Sequence, residues 1–101
     1  MSRETPKALK RLRDDGYLVN IVEKTIPRTY IKQDLYGFID LLAIRENEIL
    51  GIQVTSYSNF AARRTKIQNH ENLAAVLASG IIVEVWGFKK GSTTPKIERI
   101  Q

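Results

Sequence analysis

With 101 residues, 43% of them hydrophobic and 27% charged, the chain has the composition of a folded globular protein and the length of one domain, read as residues 1–101. It has no cysteine and a single histidine, His70, which excludes disulfides, zinc–thiolate sites, cysteine nucleophiles and a multi-histidine metal site within the chain; a metal site must be built mainly from oxygen and suits Mg²⁺ or Mn²⁺. The net charge of +5 favours polyanionic partners.

Residues 3–15 read as a helix. Leu9 and Leu12 form a short apolar stripe, Pro6 is tolerated in the first turn, and Gly16 ends the segment. The opening MSRETPKALK is charged and helix-like and is not a signal peptide. No apolar run approaches the ~18 residues that span a bilayer. The expectation is an intracellular, cytoplasmic protein with no membrane partner. Residues 17–24 alternate as a strand with Tyr17, Val19 and Ile21 on one face. Pro27 breaks the pattern, and residues 25–37 read as a loop or excursion without a period.

Residues 38–45 and 48–55 read as an antiparallel hairpin turning at Glu46 and Asn47. Their near-continuous apolar runs imply a sheet covered on both faces. Residues 59–79 read as helical, broken near Asn69 and His70, with Asn69 placed to cap a second half whose buried stripe is Leu73, Val76 and Leu77. Gly80 stops the helix, residues 81–88 are a further strand, and KIERI at 96–100 is a last short edge strand. The order helix, strand, strand, strand, helix, strand predicts an α/β fold with a mixed central sheet flanked by helices.

Polar residues interrupt the hairpin. Counting back from the turn, Asp40 opposes Gln53, and directly opposed side chains lie roughly 5 Å apart. Thr55 shares the Gln53 face. A buried carboxylate needs a partner. Either Gln53 and backbone donors supply it, or a divalent cation does. Two clusters of basic residues stand out, Arg3, Lys7, Lys10, Arg11 and Arg13 in the first helix and Arg63, Arg64 and Lys66 after the hairpin. Each reads as a solvated face or as a nucleic-acid contact, and their combination with the hairpin site favours nucleic acid.

The run Gly37-Phe38-Ile39-Asp40-Leu41-Leu42-Ala43, the turn, and Gly51-Ile52-Gln53-Val54-Thr55 resemble the core of the PD-(D/E)XK nucleases. The likeness is to small single-domain members such as archaeal Holliday-junction resolvases, VRR-NUC domains and related phage proteins. It spans about residues 3–88 and implies a restriction-endonuclease-like α-β-β-β-α-β core. It further implies a Mg²⁺- or Mn²⁺-dependent DNA endonuclease, structure-selective for branched DNA and working as a homodimer. On that pattern Asp40, Gln53 and the Val54 carbonyl hold metal. The chain departs from the pattern at Gln53 and Thr55, where the family carries an acid and a lysine. The lysine can be replaced by Lys66, Arg63 or Arg64, and the acid by Glu4, Glu23 or Asp34. The same departure supports the alternative of an inactive nuclease fold that binds nucleic acid without cleaving it. A structural protein with a basic surface is a third reading. Among other residues, His70 reads as a cap or surface residue and Trp86 as core. Tyr57 and Phe60 follow the site strand as packing or nucleic-acid contacts, and Glu84 is ordinary if it faces solvent.

Overall fold

In the computed structural model, which describes residues 3–101, the first element is helix α1 (Thr5–Asp14), with Pro6 in its first turn. Met1 and Ser2, the start of the segment read as lacking a signal peptide, lie outside the described residues. Thr5, Ala8 and Leu12 are buried along one face of α1, with Leu9 packed beside them. The chain leaves α1 through Gly16 at φ +90, a conformation that side chains avoid.

Five strands form one sheet in the order β1 (Leu18–Ile21), β4 (Leu41–Arg45), β5 (Glu48–Ser56), β6 (Ile82–Phe88), β7 (Lys96–Ile100). β1, β4 and β5 are an antiparallel meander, β6 runs parallel to β5, and β7 returns antiparallel. The parallel step needs a crossover, and α2 (Phe60–Gln68) and α3 (Leu73–Ala78) provide it after a 3₁₀ turn at Tyr57–Asn59. The mixed α/β class, the meander and the last edge strand are those expected. The β4–β5 turn is at Glu46–Asn47, with Asn47 left-handed at φ +59, and Arg45 pairs with Glu48 as counted from the sequence.

α1 packs on one sheet face over Val19, Leu41, Ala43, Leu50, Ile52, Val54, Trp86 and Phe88. Phe38, Ile39, Phe60, Ile67, Val76, Val83, Val85 and Ile100 form the second core layer, on the face of α2 and α3. No helix among the described residues is long and apolar enough to cross a membrane.

Several expectations are corrected. The segment expected as a loop over 25–37 contains a small hairpin, β2 (Lys24–Thr25) with β3 (Lys32–Gln33). The strand read over 17–24 is shorter: β1 runs from Leu18 to Ile21, with Val19 buried and Ile21 39% exposed. β4 starts at Leu41 and not at Phe38, because the preceding residues fold on themselves. Leu35 N–H donates to the Ile39 carbonyl at 2.9 Å and Ile39 N–H to the Leu35 carbonyl at 3.0 Å, around left-handed Tyr36 and Gly37. Asn69 follows α2 at its C-terminal end, and Asn72 precedes α3 without a side-chain cap. The Asn72 N–H instead donates to His70 Nδ1 at 3.0 Å, which makes His70 a local turn brace. Glu84 does not face solvent. It is buried, accepts from Trp86 Nε1 at 3.1 Å and pairs with Arg99 at 3.1 Å.

The seat of α2 depends on one close approach. A Cβ on Gly87 of β6 would stand 2.6 Å from Cδ2 of the buried Phe60 ring. We expect Gly87→Ala to destabilise the fold by about 1–3 kcal/mol. Urea unfolding measures it, and combining the change with Phe60→Ala should give a smaller loss than the two single effects summed.

Candidate metal centre

β4 pairs with β5 only as far as Leu41 opposite Ile52, while β5 runs on to Ser56. Past Ile52 the β4 side of β5 therefore has no ladder partner. Asp40, one residue before β4, occupies that gap. Its N–H donates to the Ile52 carbonyl at 2.9 Å, and its carbonyl accepts from Val22 N–H at 2.8 Å. Its side chain does the work of the absent strand. Oδ2 accepts the Val54 N–H at 2.9 Å and the Gln53 Nε2–H at 2.6 Å. The N–H and C=O of one residue in a ladder point to the same neighbour, so the Val54 carbonyl opens towards the same gap.

The other oxygen, Oδ1, is buried and has no hydrogen-bond donor. Beside Asp40 stand Glu23, just after β1, and Asp34, just after β3. One carboxylate oxygen from each of Glu23, Asp34 and Asp40 lies within 4.8 Å of the others. The β2–β3 pairing brings Glu23 and Asp34 together, because it closes the chain between them into a loop. Lys32, two residues before Asp34 on β3, reaches back to Glu23 at 3.3 Å. On the opposite wall, α2 contributes Arg63 and Lys66. Together with Gln53 and Val54 these residues line an open cleft of about 320 Å³.

Burial raises the Asp40 pKa, the adjacent Asp34 carboxyl raises it further and the Val54 N–H opposes, leaving it pushed up to about 8. The ionised form of Asp40 is therefore disfavoured while the cleft holds no cation. The donor set fits a hard divalent cation: three carboxylates, a neighbouring backbone carbonyl and an orphaned buried oxygen, with no nitrogen or sulfur ligand among the residues lining the cleft.

The structure brings together Asp40, Gln53, Val54, Glu23, Asp34, Arg63 and Lys66 of the residues singled out in the sequence. Gln53 enters as a hydrogen-bond donor to Asp40 and not through its oxygen. Thr55 is buried on the same strand but does not line the cleft. Glu4 lies elsewhere, in a groove with Lys7, Ser56 and Lys89, because α1 packs on the opposite sheet face. For the same reason the α1 cations do not reach Asp40. Lys7 donates to the Ser92 carbonyl, Lys10 pairs with Asp14, Arg11 stands over Trp86, and Arg3 lines the Glu4 groove. Arg64 is held by Glu98 at 3.0 Å, and Lys66 sits in the last turn of α2 rather than at its start. Lys32 was not legible as a site residue; its only signal is the spacing of two from Asp34, which puts both on one side of a strand. Tyr57 is half-exposed beneath Lys89 and Lys96, and Phe60 is buried.

No protein-family model matches this chain, and no curated protein matches it.

The raised pKa makes stability fall with pH. Below the ordinary carboxyl value of 3.8 Asp40 is neutral folded and unfolded; between there and about 8 the folded chain holds a proton that the unfolded chain has lost. Metal-free protein should therefore lose stability as pH rises across that window. Urea titrations at several pH values should show this slope in wild type and a flatter one in Asp40→Asn. Mg²⁺ should restore stability at the alkaline end in wild type only.

Proposed function

We propose that this chain is a divalent-cation-dependent endodeoxyribonuclease that hydrolyses phosphodiester bonds of DNA. One observation carries the reading: three carboxylates, one with a buried unpartnered oxygen, converge in an open cleft whose other charged residues are Lys32, Arg63 and Lys66. Glu23, Asp34, Asp40 and the Val54 carbonyl would hold the cation. A hard divalent cation bound there supplies Lewis-acid polarisation of a phosphoryl oxygen and acidified water.

The chain's own residues do the rest. Arg63 and Lys66 have no carboxylate partner among the described residues, so both are free to meet a phosphate and the charge that builds on it. In the resembled PD-(D/E)XK pattern that role belongs to the lysine at position 55. Here α2 offers it from across the cleft. Gln53 and the Val54 N–H hold Oδ2 of Asp40 and so fix its carboxylate beside the other two. Lys32 stands beside Glu23 and limits the repulsion among the three acids while the cleft is free of metal.

The amide at position 53 favours a second reading, a nuclease fold that binds DNA without cutting it. With Gln53 donating to Asp40, the acid that the family pattern carries at that position is absent, and hydrolysis depends on Glu23 and Asp34 to supply it. The decisive experiment is cleavage of single-stranded, duplex, flap and four-way-junction DNA with Mg²⁺ or Mn²⁺. Cleavage in wild type should be lost in Asp40→Ala and Asp34→Asn, and should fall roughly 100- to 1000-fold in Lys66→Ala, with partial recovery in Lys66→Arg. Cleavage that survives Asp40→Ala would sink the assignment. Salt-sensitive binding with no cleavage under any divalent cation would establish the second reading.

A further inference from the structure

Residues 24–33 leave the body of the protein between Glu23 and Asp34, and every one of them is exposed. Two paired residues per strand bury no apolar face, so this hairpin adds nothing to the core. Its shape is nevertheless well braced. Ile26 N–H donates to the Ile31 carbonyl at 2.9 Å, and Thr29 N–H to the Ile26 carbonyl at 3.2 Å. The Thr29 hydroxyl donates to the same carbonyl at 2.9 Å and accepts from Ile31 N–H at 3.2 Å. Pro27 takes the second position of the tip turn. Arg28 takes the third with φ +65, where glycine or asparagine ordinarily sits.

The composition is one-sided. Lys24, Arg28 and Lys32 are the only charged residues between Glu23 and Asp34. Tyr30 is fully exposed, Ile31 is 59% exposed, and Tyr30 makes no hydrogen bond or ring contact with any described residue. An aromatic ring held clear of the protein on a cationic arm has gained nothing from folding. Its surroundings match a partner that is polyanionic and carries flat apolar faces. The root of the arm points to the same partner. Glu23 and Asp34 belong to the candidate metal centre, and Lys32 lines its cleft. Four residues from Asp34 to Tyr30 at ~3.3 Å each let the arm extend roughly 13 Å from the cleft.

We propose that the β2–β3 hairpin is a nucleic-acid finger. Lys24, Arg28 and Lys32 track the backbone of the strand entering the cleft, and Tyr30 stacks on an unpaired base of that strand a short way from the phosphate held there. The preferred substrate is then DNA with unstacked bases, a single strand or flap, over continuous duplex. The proposal deepens the nuclease reading and rests on it for the position of the phosphate.

Binding by the full chain in EDTA separates the two. The probes are single-stranded, flap and blunt-duplex oligonucleotides of one sequence, with 2-aminopurine at the unpaired position. Wild type should prefer the single strand and flap and should quench the 2-aminopurine. Tyr30→Ala should weaken binding to those two by roughly ten- to a hundred-fold and abolish the quench. Tyr30→Trp should keep both. Arg28→Ala should keep the quench and lower the salt slope by about one. Equal affinity and quench in Tyr30→Ala overturn the finger while leaving the nuclease reading standing. Tyr30-dependent binding without cleavage in Mg²⁺ or Mn²⁺ overturns the hydrolytic reading and keeps the finger. Failure of wild type to bind any probe at low salt overturns both. Tyr30-dependent binding to phosphatidylserine vesicles and not to DNA overturns the finger in favour of a membrane contact.

Discussion

Everything about the cleft depends on one mismatch of strand lengths. β5 continues to Ser56, but its neighbour β4 begins only at Leu41. The peptide groups beyond Ile52 would lack partners on that side. Asp40 meets the deficit by offering a carboxylate oxygen where a strand would offer a carbonyl, as its bond to the Val54 N–H records. The hairpin register makes this possible. A slip of one residue in either strand would turn its polar member, Asp40 or Gln53, towards the layer under α1 and separate the pair. The two-residue turn at Glu46–Asn47 fixes that register from the other end of the hairpin.

The balance of charge in the cleft follows. A carboxylate fixed in a buried gap beside Asp34 and Glu23 resists ionising while no cation is present. A cation held there would favour its ionised form. Gln53 fits both states, because a neutral amide can hold Oδ2 without adding a fourth acid to three already in contact. Two of the three acids stand at the ends of the 24–33 hairpin, and the cations of the cleft come from α2 and β3.

The two basic clusters illustrate how packing sorts like residues. Arg63 and Arg64 are adjacent in sequence, yet Arg63 lines the cleft and Arg64 is tied to Glu98 on β7. Successive residues on a helix point about 100° apart, so one arginine faces the open end of the cleft and its neighbour faces the sheet edge. The α1 cations bracket Asp14, Trp86 and the Ser92 carbonyl on the other side of the sheet.

The parts of the fold legible in the sequence were those with a period. α1 shows its stripe at Leu9 and Leu12, and β4, β5 and β6 show long apolar runs. The Glu46–Asn47 turn makes Asp40 and Gln53 neighbours by counting alone, and they are hydrogen-bonded at 2.6 Å. A hairpin with two paired residues per strand has no period to read, so the 24–33 segment passed for a loop. With it went the convergence of Glu23 and Asp34 on Asp40. Glu4 was misplaced because composition cannot say which sheet face a helix covers. The sequence by itself determined the α/β class and the hairpin register, since these follow from alternation and turn residues. Only the tertiary structure decided which acids and cations meet, because contacts between segments distant along the chain depend on packing that no local pattern encodes.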